Sequence, residues 1–215
     1  SWNSYTSEMI GDHAISMIGD AWLKGIDDFN MDTAYHYMRK NAFDQPDDFN
    51  TYKDGKGRRA LESYLKYGYI PLEDSVKYAF HQREQVSRTL EYAYDDFVLS
   101  EVAKKLGHTE DYNKLRGRAN NYRNVFDTTT DYARGRHKDG SWVTPFHPRE
   151  RAPYITEGTP YQYTWYVPHD MQGLINLMGK DKFVSRLDTF FSGHHYWHGN
   201  EPSHQDRKST RLNSS

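Results

Sequence analysis

The sequence predicts an all-α protein. Three observations carry that prediction: an apolar recurrence every three to four residues over most of the first 125 positions, glycines that stop the recurrent stretches, and connections short enough to pair the helices. The 215 residues lie between one large domain and two small ones. Hydrophobic residues make up only 36%, which alone hints at disorder, but 18 Tyr, 10 Phe and 5 Trp argue for a folded chain with a wet, tyrosine-rich surface.

Ile10, Ala14, Ile18 and Ala21-Trp22 mark the first helix, with Gly25 as its stop. A second runs from about Met31 to Asn41, and Asp44 to Gly57, rich in Asp, Pro and Gly, reads as a loop. The strongest helix spans about Glu84 to Leu106. There Leu90, Tyr94, Val98, Val102 and Leu106 form one buried stripe, while Arg88, Glu91 and Asp95 share a separate polar face. Gly107 ends this helix, and Thr109 caps the next, which reaches about Phe126. From Asp127 to Tyr163 the helical pattern disappears over a length that compact domains reserve for functional loops. It resumes near Pro168, continues to Met178, and returns from Lys180 to Phe191. Tyr161 to Val167 also fits strand alternation, and periodicity does not arbitrate. No fixed repeat period is present, which argues against a helical solenoid.

The absence of cysteine excludes a disulfide scaffold, a zinc ribbon and a cysteine nucleophile. A mean hydropathy of −1.01, with no apolar run near ~20 residues, excludes a membrane-spanning helix. The near balance of 28 Lys and Arg against 30 Asp and Glu argues against a nucleic-acid partner held by charge. Ser1-Trp2-Asn3-Ser4 has neither the basic region nor the apolar core of a secretory leader. Both ends read as cut, with residues 206–215 a non-native tail.

Three stretches combine carboxylates with aromatics and amides: Ser87-Arg88-Thr89-Leu90-Glu91-Tyr92-Ala93-Tyr94-Asp95-Asp96; Thr156-Glu157-Gly158 leading to Tyr163-Thr164-Trp165 and Pro168-His169-Asp170; and Trp197-His198-Gly199-Asn200-Glu201-Pro202-Ser203-His204. A sugar site uses these residue types: flat rings to stack on pyranose faces, amides and carboxylates to bond hydroxyls, and carboxyl groups for acid and base. In this order, with Gly11-Asp12-His13-Ala14 and Asp20-Ala21-Trp22-Leu23-Lys24-Gly25 near the start, they resemble glycoside hydrolase family 92, the calcium-dependent exo-acting α-mannosidases. The resemblance extends to about Gln205.

The resemblance implies an inverting hydrolase of terminal α-linked mannose and a catalytic domain built as an (α/α)₆ barrel. Residues 1–205 then form about half of that toroid, without the family's N-terminal β-sandwich. It implies that Glu157 is the general acid. Such an acid must start protonated, which burial or nearby carboxylates promote. Glu157, close to Tyr161, Tyr163 and Trp165, fits a shielded place, and a solvent-facing loop glutamate is the other reading. Asn200, Glu201 and His204 lie in the run that, by the resemblance, contacts the leaving sugar, with Trp165 and His13 completing the candidate substrate-binding set. Asn200 and Glu201 read equally as a cap or turn before Pro202. Members acting on α-1,2 linkages look to carry His-Glu-Pro where this chain has Asn200-Glu201-Pro202, so the linkage stays open between α-1,2, α-1,3 and others.

His194 and His198 stand four apart, but no glutamate adjoins the first and Gly199 breaks the helix, which disfavours zinc. Calcium, the implied cofactor, takes oxygen ligands of the kind abundant here, and its implied role is to hold two mannose hydroxyls and distort the ring. Arg88, Glu91, Asp95 and Asp96 read either as a site floor or as an ion network between helices. An inverting enzyme also needs a second carboxylate about 6.5–9.5 Å from the acid. The family supplies it from a Gly-Asn-Asp-Asp-x-Gly-Gln-Met-Ser motif that is absent from this sequence, so this piece alone is expected to be inactive. A non-catalytic helical carbohydrate-binding module is the competing reading, and it has no use for an acid at Glu157. A mannose-containing glycan partner and a secreted or periplasmic location follow by family analogy.

Overall fold

The computed structural model describes residues 9–197 and 199. Among them the helices are α1 (His13–Leu23), α2 (Met31–Phe43), α3 (Phe49–Lys53), α4 (Leu61–Tyr67), α5 (Gln85–Leu106), α6 (Thr109–Arg118), α7 (Pro160–Tyr163), α8 (Met171–Met178) and α9 (Lys180–Ser192). A 3-10 turn, Asn121–Val125, leads into an antiparallel pair, β1 (Phe126–Asp127) and β2 (Tyr132–Ala133), with Phe126 opposite Ala133. The fold is helical, as the sequence predicts.

Helix α5 is the axis on which the other elements rest. Its Val98, Leu99, Val102 and Ala103 pack with Ile15 of α1, Tyr35, Met38 and Ala42 of α2 and Leu115 of α6. Gly19 makes the α1 contact possible, because a Cβ there would lie 2.7 Å from Val98 Cγ1. The first half of α5 contributes Val86, Leu90 and Ala93 to a second core with Tyr122, Tyr161, Trp165, Leu174, Phe183 and Phe190. Gly107, at φ +81°, closes the helix in the left-handed conformation that glycine adopts without steric cost.

Arg88, Glu91 and Asp95, the polar face of α5, are buried together with Asp96. Several expectations are corrected. Tyrosine goes to the core as much as to the surface, since Tyr35, Tyr64, Tyr69, Tyr92, Tyr122, Tyr154, Tyr161, Tyr163 and Tyr166 are buried. Buried hydroxyls find partners there, as Tyr92 does at the Arg59 carbonyl (3.1 Å) and Tyr69 at that of His137 (2.7 Å). The helix expected to run from Thr109 to Phe126 stops at Arg118, and its N-cap is His108. The expected loop 44–57 contains α3, started by Asp48, whose carboxylate accepts from Thr51 N–H at 2.9 Å. Residues 161–167 are no strand: Thr159 and Gln162 form a reciprocal capping box that starts α7.

The charge on Asp96 is the main polar tie. Fully buried on α5, it accepts from Arg58 (2.6 Å), from Arg118 Nε on α6 (2.7 Å) and from the Tyr64 hydroxyl on α4 (3.1 Å). The two guanidinium groups outweigh the effect of burial and hold its carboxyl below the usual range. Arg118 also donates to the Ala42 carbonyl at 2.9 Å, bringing in the end of α2. Replacing Asp96 with Asn strands two buried cations, and urea unfolding of the chain should show a loss of about 3–5 kcal/mol. A loss under about 1 kcal/mol would show that the network is dispensable.

Candidate active site

The site is built at the start of α5. The first amides of any helix lack partners inside it, and the N-cap here, Glu84 at φ +59°, offers no side-chain bond. A distant segment supplies the acceptors. Glu84 N–H donates to the Pro153 carbonyl (3.1 Å), and the Val86 and Ser87 N–H groups both donate to that of Tyr154 (3.1 and 3.3 Å). In return Ser87 Oγ accepts from Thr156 N–H at 2.9 Å, in a buried bond. The next residue is Glu157.

Glu157 is exposed, with its backbone in the left-handed region at φ +53°. That conformation costs a non-glycine residue on the order of 1–3 kcal/mol, and the bonds on either side hold it there. Among the described residues Tyr161, Tyr163 and Trp165 turn into the core and leave Glu157, which turns outward, unshielded by them. Trp165 is 2% exposed and packs edge-on to Phe183 with centroids 5.5 Å apart, while Phe190 lies at 5.8 Å. Those contacts assign Trp165 to the core instead of a sugar-stacking face.

Behind Glu157 lies a buried carboxyl, Glu91. It accepts from the hydroxyls of Tyr163 (3.4 Å) and Tyr166, and its Oε2 stands 4.0 Å from Nε2 of half-buried His13. Burial pushes its pKa up to about 7, helped by Asp95 and opposed by His13 and the two tyrosines. One turn on, Asp95 accepts from Asp12 N–H at 2.8 Å, and burial pushes it up too, against the pull of Arg58. Of the two readings weighed for these residues, Asp96 and Arg88 take the structural one. The Arg88 guanidinium donates to the carbonyls of His81 (2.7 Å) and Arg83 (2.9 Å). Glu91 and Asp95 are held mostly without full counter-charges.

Pro168-His169-Asp170 serves α8. Asp170 accepts from Gly173 N–H at 2.9 Å as its N-cap and from Tyr122 at 2.6 Å. His169, which lies 2.8 Å from the Ala119 carbonyl through Nε2, is pushed down to about 4 by burial. Asn200, Glu201 and His204 lie outside the described residues, as does His198. Among the described residues no group of three or more His, Asp and Glu is placed to hold a metal ion. Arg58, which joins Asp96 and stands 3.5 Å from Asp12, gave no signal in the sequence because no periodic pattern surrounds it.

The Glu91 carboxyl has a consequence for stability. Its folded pKa lies above the ordinary 4.5, so its contribution is complete below that value and is lost as pH rises through about 7. At about 1.4 kcal/mol per pKa unit, the swing is on the order of 3 kcal/mol. Urea unfolding at pH 5 and pH 8 should therefore show a smaller drop in stability for Glu91→Gln than for the unmodified chain. Equal drops would mean that Glu91 is already ionised at pH 5.

Comparison with known proteins bears on this arrangement. The Glycosyl hydrolase family 92 catalytic domain matches over residues 1–206. A solved family GH92 α-mannosidase from Bacteroides thetaiotaomicron is 40% identical, with 94% of this chain and 26% of that one covered and a TM-score of 0.81. A GH92 inverting mannosidase from the same organism is 30% identical, over 85% of this chain and 23% of the other, with a TM-score of 0.76. An uncharacterized secreted glycosidase of Arthroderma benhamiae is 31% identical, over 90% of this chain and 28% of its own length. The chain thus spans about a quarter of the length of these relatives. With nearly the whole chain matched to the family's catalytic domain, the chain belongs to glycosyl hydrolase family 92, as a part of that domain.

Proposed function

We propose that the protein containing this chain is an exo-acting α-mannosidase, with Glu157 as the general acid of an inverting hydrolysis. The observation that carries the reading is the outward-facing Glu157, held in left-handed backbone directly after a segment bonded to the start of α5. A carboxyl so placed meets a substrate from outside while its backbone stays fixed. Its task is to donate a proton to the departing glycosidic oxygen, and the shielding that keeps it protonated comes from substrate or from parts of the domain beyond this chain. Glu91 is a poor choice for the second carboxylate, because it is 3% exposed and faces two tyrosine hydroxyls and His13. The base belongs to the motif that this sequence lacks.

Asn200, Glu201 and His204 are proposed to contact the leaving sugar, and His13, at the start of α1, to line the site. Calcium is the cofactor that family resemblance implies. A related structure holding mannoimidazole supports a mannose-type ligand, and the relative named as a secreted glycosidase supports a location outside the cytoplasm.

In the full-length protein, Glu157→Gln should lower kcat on an unactivated α-mannoside by about 10²–10⁴-fold while mannose binding is retained. Unchanged turnover would remove Glu157 from the role, and a carbohydrate-binding module would show binding with no turnover in either protein. The 215-residue chain by itself should not hydrolyse an aryl α-mannoside, and turnover near that of full-length relatives would overturn the assignment of the base to another segment.

A further inference from the structure

Beside the segment that docks on α5 lies an open cavity of about 470 Å³ whose walls include Leu72, Val143, Tyr154 and His147 and whose charged groups are Arg83, Glu150 and Arg151. Every other described arginine donates to a carboxylate or carbonyl or lies over an aromatic ring. Among the described residues, the Arg83 and Arg151 guanidinium groups have no such partner, and both line this one cavity. Two unengaged guanidinium groups around one concavity are what an oxyanion requires, since each presents a planar fork of donors matched to phosphate oxygens.

We propose that this cavity binds a phosphate-type oxyanion group, either free or as an ester on a sugar. Arg83 and Arg151 bind the anion, and Leu72, Val143 and Tyr154 supply an apolar wall for the ring of a sugar ester. Glu150 is the counterweight: one carboxylate against two guanidinium groups leaves the cavity net positive, and its charge limits affinity for a dianion. His147, exposed on the same wall, offers the anion a further ring N–H donor. The site stands apart from the hydrolase reading, because none of its residues is asked to take part in bond cleavage.

Calorimetric titration of the full-length protein with a hexose 6-phosphate, the parent hexose and inorganic phosphate tests the proposal. The phosphorylated sugar should bind at least about tenfold more tightly than the parent hexose, and Arg83→Gln or Arg151→Gln should each weaken it by about tenfold. Glu150→Gln should tighten it. All three side chains are exposed, so unchanged melting temperatures confirm that the variants fold. Inorganic phosphate binding as tightly as the sugar phosphate would assign the site to the free oxyanion, and tighter binding of the sugar phosphate would assign it to the ester. Equal binding of phosphorylated and parent hexose, or phosphate binding that survives the double Arg83→Gln, Arg151→Gln substitution, would overturn it. Because mannoside turnover is not read, loss of the Glu157 assignment would leave this outcome intact.

Discussion

The amide groups that open a helix point along its axis with nothing inside the helix to receive them. At α5 those groups are satisfied by main-chain carbonyls of residues 153 and 154, more than sixty positions later in the chain. The arrangement is reciprocal, since the Ser87 hydroxyl on the helix accepts the Thr156 amide. A long irregular segment thereby acquires one fixed point, and that point lies next to Glu157. A conventional side-chain cap at position 84 would have removed the need for the contact and left the loop free to wander.

The burial of α5 on all sides explains why the other elements assemble as they do. A helix carrying Arg88, Glu91, Asp95 and Asp96 into the interior must provide for each charge. Asp96 is compensated by Arg58 of the loop before α4 and by Arg118 of α6, and with the Tyr64 hydroxyl they fix α4 and α6 against α5. Glu91 is provided for differently, by tyrosine hydroxyls that also suit its protonated form. One helix thus carries an ion network at Asp96 and a proton-holding carboxyl at Glu91.

Long apolar stripes were readable in the sequence. Leu90, Val98 and Val102 gave α5 almost to the residue, and Gly107 gave its end. What periodicity could not give was the destination of the charges, because Arg88, Glu91 and Asp95 look the same on a solvated face as on a buried one. The partners of Glu91, Asp95 and Asp96, namely Tyr163, Asp12 and Arg58, are distant in sequence and become neighbours only through tertiary packing. Short elements failed for a related reason: α3 and α7 have a turn or so each, and their side-chain caps, Asp48 and Thr159, carry more information than any stripe. Motif order, by contrast, identified the family, while local sequence does not separate a buried indole such as Trp165 from a stacking one.

The left-handed backbone at Glu157 sets the interests of the fold against those of the proposed chemistry. Glycine would occupy φ +53° without strain, so the position that carries the carboxyl is also one where the fold gains from giving it up. A library sorted only for thermal robustness would drift toward glycine here. It would shed the candidate acid early, keeping the architecture while emptying the position of its chemistry.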